Sequence, residues 1–205
     1  KVIELQKDSK TLADFVCGGA VEVFIEVHKS RPRLVLCGAG HVSKAISYLA
    51  ATMGFEIIII DPRPEWANNQ RFPGAKSIIT GADIEKSIKG QYSNKNTFYI
   101  IATWNHKHDR EALKNIIYKE HKYIGMLASR KKAGEIINTL KEEGVEQSLL
   151  DKVYSPIGLD LKAETPEEIA ISVMAEILMM KNNATGRSLS NINKLKIQNS
   201  TMSEL

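Results

Sequence analysis

The stretch "LVLCGAGHVSKAISYLAATMGFEIIIIDPRPE", Leu34 to Glu65, decides the fold. It opens as a short apolar run that ends in glycine. Val42, Ala45, Ile46, Leu49, Ala50 and Met53 then fall at helical spacing, Gly54 stops them, and the chain resumes as the wholly apolar "EIIIID". A run without polar alternation suits a strand of a parallel sheet, buried on both faces. The stretch therefore predicts strand, turn, helix, strand, acid.

Working outward, apolar runs recur at 76–80 ("KSIIT"), 97–103 ("TFYIIAT") and 122–128 ("KYIGMLA"). Strands alternating with crossovers imply an α/β fold, a Rossmann-like, doubly wound and mostly parallel sheet. The crossover after Thr103 is expected to be the helix "DREALKNIIYKE", and the one after Ala128 the helix "RKKAGEIINTLKEEG", ended by Gly144. In "TPEEIAISVMAEILMMK", Thr165 is an N-cap, Pro166 takes the first helical position and Glu168 completes a capping box, so a C-terminal helix starts here. Ahead of the unit, "GGAVEVFIEV" alternates from Val21 to Val27 as a short N-terminal edge strand would. The expected organisation is an N-terminal segment over 1–33, a nucleotide- or cofactor-binding domain over 34–181, and a polar tail over 182–205 that is mobile or docked on a partner.

Composition narrows the function. Of 205 residues, 28 are Lys or Arg and 24 Asp or Glu, scattered to a net charge of +4, and no basic run is interleaved with aromatics, which argues against nucleic acid. No window approaches the ~20 apolar residues that span a bilayer, and no signal pattern opens the chain, so a cytoplasmic protein without membrane attachment is expected. Cys17 and Cys37 are too few for a disulfide framework and lack zinc-like spacing.

The turn after the first strand carries the chemistry. A bound phosphate needs a tight turn, a close backbone approach and the free N–H groups of a helix start. Gly38, Ala39 and Gly40 supply the turn, His41 and Val42 open the helix, and Ser43 stands where the third glycine of the dinucleotide fingerprint would be. Asp61 ends the next strand about 21 residues after Gly40, where an acid can accept hydrogen bonds from ribose hydroxyls. His41 either faces the ligand or caps its own helix. Arg63 and Arg71 lie in a turn-rich loop and either hold anions or are simply solvated. Thr103, His106 and Asp109 of "TWNHKHD" lie at a strand's C-terminal end, where open α/β sheets bind ligands; His106, His108 and Asp109 form only a weak metal pattern, and no metal is expected. Ser129 and Arg130, with Lys131, could hold an anion at the next helix start, or form an ordinary basic face.

Together, "CGG", "VEVFIE", "GAGHVSKA", "DPRPEWANNQRFP", "TWNHKHD", "YIGMLASRKK" and "SPIGLDLKAETPEEIAISVMAEI" occur in the same order as the motifs of the xanthine dehydrogenase accessory protein family (XdhC/CoxI), which the chain resembles over roughly residues 14 to 180. The resemblance implies a cytoplasmic maturation factor rather than an enzyme. Such a factor binds molybdenum cofactor, as molybdopterin or its dinucleotide, assists its sulfuration, with a cysteine desulfurase as a further partner, and inserts it into a molybdenum hydroxylase such as xanthine dehydrogenase. It also places Cys17 in a cysteine-glycine-glycine motif as a contact for molybdenum or sulfur. Ser43, Ala128 and Lys162 stand where the family often has glycine or another small residue. The competing reading is an NAD(P)-dependent oxidoreductase using the same turn; a third is an interaction module that binds no nucleotide. The edge strand and the apolar helix from Thr165 offer surfaces for a homodimer.

Overall fold

Strand β1 (Arg33–Cys37) runs into the glycine turn, helix α1 (His41–Thr52) follows, and β2 (Glu56–Ile60) returns parallel to β1. A computed structural model of the chain describes residues 30–81 and 83–190. The path continues through β3 (Ser77–Ile79), α2 (Ile84–Lys89), β4 (Thr97–Ile101), α3 (His106–Ile116), β5 (Tyr123–Met126), α4 (Arg130–Glu142), α5 (Gln147–Leu150), β6 (Val153–Tyr154) and α6 (Pro166–Asn182). The six strands pair in the order β3-β2-β1-β4-β5-β6, every pair parallel. From β1 the chain winds outward to β3, then crosses back to β4 and winds the other way. The order reverses between β1 and β4, which is where sheets of this kind open a ligand crevice.

The register brings the crevice walls level. Cys37 stands opposite Ile60 on one side and Ile101 on the other, so the turn after β1, Asp61 after β2 and Ala102 after β4 emerge side by side. One face of the sheet buries Leu34, Leu36, Ile57, Ile59, Phe98 and Ile100 against α1 and α6. The other buries Val35, Ile58, Ile60, Tyr99, Ile101 and Met126 against α2, α3, α4 and α5. At roughly 1.5–3 kcal/mol for each large apolar side chain, this double cover fixes the strand ends on which the crevice depends.

Helix α6 begins as expected: Thr165 accepts from the Glu168 N–H, and Glu168 accepts in return from the Thr165 N–H. Helix α3 does not. It starts at His106, three positions before the expected "DREALK" start, because the Asn105 side chain accepts the His108 N–H and caps it there. It also ends earlier, at Ile116, where the Lys119 N–H bonds the Ile116 carbonyl in a turn that leads to β5. The sequence reading passed over α2, α5 and β6, which are too short to show a period. Lys162 adopts φ 52°, the left-handed conformation that glycine favours. The expected edge strand at Val21–Val27, Cys17 and residues 191–205 of the tail lie outside the described residues.

Candidate functional site

The turn is clamped from three sides. Gly38 takes φ 111°, its N–H donates to the Ile60 carbonyl at 2.8 Å, and a Cβ placed on it would stand 2.0 Å from the carbonyl oxygen of Ala102. The turn therefore lies directly on the end of β4. The Ala39 N–H donates to Asp61 Oδ2 at 2.8 Å, while Arg71 Nη2 donates to the Ala39 carbonyl at 3.2 Å. Beyond the clamp the backbone is free. Gly40 caps α1 with no side-chain bond, and the amides of Gly40, His41 and Val42 donate to nothing among the described residues. A Cβ on Gly40 would meet no atom within 4 Å, so the turn is open at Gly40. Unpaired amides at the positive end of a 12-residue helix suit an anion.

Asp61 is fully buried, and its two oxygens accept four hydrogen bonds: from the Ala39 N–H, the Arg63 N–H, Arg63 Nε and Arg63 Nη2, at 2.7–3.0 Å. A carboxylate has about four acceptor sites. All are taken, so the expected acceptance from ribose hydroxyls has no vacant lone pair in this structure. Burial by itself would push the Asp61 carboxyl up, but the bonds from Arg63 and the two amides outweigh it and hold the group below its ordinary value.

Arg63 is no solvated loop residue. Its guanidinium lies 5.1 Å from the ring centre of Trp66 and 4.2 Å from that of Trp104. Arg71 lies 4.7 Å from Trp66 and bonds that residue's carbonyl through Nε at 2.9 Å. Trp66 belongs to the loop after β2 and Trp104 to the loop after β4, and β1 runs between those strands. The arginine–indole contacts therefore bridge the crevice mouth. His41 sets its ring edge-on to Trp66 at 5.4 Å and does not cap its own helix.

On the far wall, the Thr103 N–H and hydroxyl donate to Asp109 Oδ1 at 3.0 and 2.5 Å, and the Lys132 ammonium stands 2.6 Å from Oδ2 as an ion pair without hydrogen-bond alignment. Burial, with the charge of Asp109 adding to it, pushes the Cys37 thiol up to about 12, so Cys37 is inert core.

The structure thus brings together Gly38 to Val42, Asp61, Arg63 and Thr103. It does not gather the histidines. Asp109 points inward, His108 packs on Trp104 at 4.3 Å, His106 is exposed, and no group of three or more metal-binding side chains forms among the described residues. Ser129 spends its hydroxyl capping α4 at the Lys132 N–H, and Arg130 is exposed. Sequence reasoning missed the two tryptophans and the Lys132–Asp109 pair. The available signal was that both tryptophans of the chain fall in loops leaving strand ends.

Two grooves extend beyond the turn. One of about 490 Å3 starts beside it at His41 and runs between α1 and α6 past Tyr48 and Ile171. A second, of about 930 Å3, opens at the start of β5 around Lys122 and Tyr154, at the opposite end of the sheet from the glycine turn.

A family model described as the XdhC Rossmann domain matches residues 34–177. The chain is 44% identical over 170 residues to an uncharacterized protein of Escherichia coli (strain K12) called YqeB, covering 83% of this chain and 31% of that one. It is 31% identical over 159 residues to a probable xanthine dehydrogenase subunit of Bacillus subtilis (strain 168), covering 78% and 46%. A crystal structure of a xanthine dehydrogenase from Bacillus halodurans superposes with a TM-score of 0.65 at 29% identity, over 76% of this chain and 44% of that one. The chain spans less than half the length of each of these relatives.

Proposed function

Since the chain belongs to the XdhC Rossmann-domain family, we propose that it is the cofactor-binding part of an accessory protein serving a molybdenum hydroxylase of the xanthine dehydrogenase type. The names of the Bacillus relatives support that partner class. One observation carries the ligand: three unpaired amides, at Gly40, His41 and Val42, stand at a helix start that is already held in shape and is open at Gly40. A phosphorylated pterin, as molybdopterin or its dinucleotide, brings the phosphate such a turn binds. The fit is good at the phosphate, and Trp104, 41% exposed beside the crevice, leaves part of its indole accessible at the ligand side of the sheet. The molybdenum chemistry belongs to the cofactor. The protein's part is to bind, orient and shelter it, with sulfuration by way of a cysteine desulfurase and hand-over assigned to the whole protein. Cys17 is the thiol we assign to sulfur or molybdenum.

NAD(P)-dependent oxidation is the weaker reading, because the acid that would accept the ribose diol has its acceptor sites filled. Thermal unfolding separates the two. Molybdenum cofactor released from a donor enzyme should raise the melting temperature more than NAD or NADP does, and Gly40→Asp, which sets a carboxylate at the turn, should abolish the shift. Stabilisation by NAD(P) alone would reverse the order.

A further inference from the structure

The two arginines at the crevice differ in what balances their charge. Arg63 spends Nε and Nη2 on Asp61, so its charge is met in place. Arg71 spends Nε and Nη2 on the neutral carbonyls of Trp66 and Ala39, and no carboxylate pairs with it among the described residues. Its Nη1, like that of Arg63, has no partner there. An unbalanced guanidinium thus rests against the carbonyl of the very turn whose next three amides are free.

Resting on the cofactor-binding reading above, we propose that the crevice reads charge and not ribose: Arg71 takes the phosphate of the ligand, and Asp61 is a positioning residue that meets no sugar hydroxyl. Trp66 carries the Arg71 guanidinium, which lies 4.7 Å from its ring centre, and Arg63 lies against the same indole. A planar fork stacked on an indole has lost most of its freedom before the anion arrives, which is how arginine gains selectivity for phosphate. Asp61 contributes by fixing Arg63 and the Ala39 amide. Its exchange to a sugar would leave the Arg63 charge unbalanced.

The test uses the full chain and its only two tryptophans, Trp66 and Trp104, both at the site. Tryptophan emission is titrated with adenosine, 5′-AMP and 2′-deoxy-5′-AMP, alongside molybdenum cofactor. AMP and deoxy-AMP should bind within about twofold of one another, and adenosine at least about tenfold more weakly, as a lost charge-assisted bond implies. Arg71→Met should cost AMP about tenfold and leave adenosine unchanged, with Arg71→Lys intermediate. The comparison of ribose with deoxyribose needs no variant, so a fold defect in Arg71→Met cannot shield the proposal. Deoxy-AMP binding tenfold more weakly than AMP, or adenosine binding as well as AMP, would overturn it. If the cofactor raises the melting temperature equally in the wild type and in a folded Arg71→Met, the proposal fails while the cofactor-binding reading stands; if neither cofactor nor nucleotide binds, both fail.

Discussion

Asp61 and Asp109 stand on either side of the crevice and perform the same task by different means. Each is fully buried, each accepts a backbone amide at a strand end, Ala39 for one and Thr103 for the other, and each pairs with a cation from a neighbouring loop or helix. The partners differ. Arg63 grips Asp61 as a fork and is stacked on two indoles, whereas Lys132 meets Asp109 as a point charge with poor hydrogen-bond alignment. A fork fixes direction as well as distance, and an ammonium fixes only distance. The β2 wall is therefore built for geometry and the α3 wall for support.

The most disruptive way to break this arrangement is at the turn where the walls meet. Gly38→Ala should cost about 4 kcal/mol or more in denaturant unfolding, since the new methyl group collides with backbone, which cannot rotate away, at a φ of 111°. Next come the acids. Asp61→Ala should destabilise by about 3 kcal/mol and Asp109→Ala by about 2, because the first strands more hydrogen-bonding groups. Equal losses would mean that the fork adds nothing.

Acid titration sharpens the comparison further. The folded-state carboxyl of Asp61 is held below its unfolded value, so its contribution is fully present above about pH 4 and is lost as pH falls through the lower, folded value. Stability measured from pH 5 downward should fall, and Asp61→Asn should flatten part of that slope. The smallest effect is a swap. Arg63→Lys should cost about 1 kcal/mol through lost stacking and fork, whereas Lys132→Arg should stay within about 0.5. A costly Lys132→Arg would show that the far wall also depends on direction.

Much of this was legible in the chain. Runs such as "EIIIID" and "TFYII" announced buried parallel strands, and Thr165 with Glu168 announced a helix start, because each signal is complete within a few neighbouring residues. Two-residue β6 carried no pattern, and the early start of α3 depended on Asn105 turning its side chain back to one amide. The position of Asp61 was readable from its spacing, but its partners were not, since only the folded backbone decides whether Ala39 and Arg63 reach the carboxylate before a ligand does. Trp66 and Trp104 gained meaning only when β1 fell between β2 and β4.

The clamp on Ala39 has a kinetic consequence. Folding has already ordered the turn, its amide tied to Asp61 and its carbonyl to Arg71, so an arriving anion meets donors that need no rearrangement. The guanidinium groups on Trp66 are likewise in place. Association should accordingly show a single fast phase in stopped-flow emission, its rate linear in ligand concentration, with little ordering entropy left for the ligand to supply.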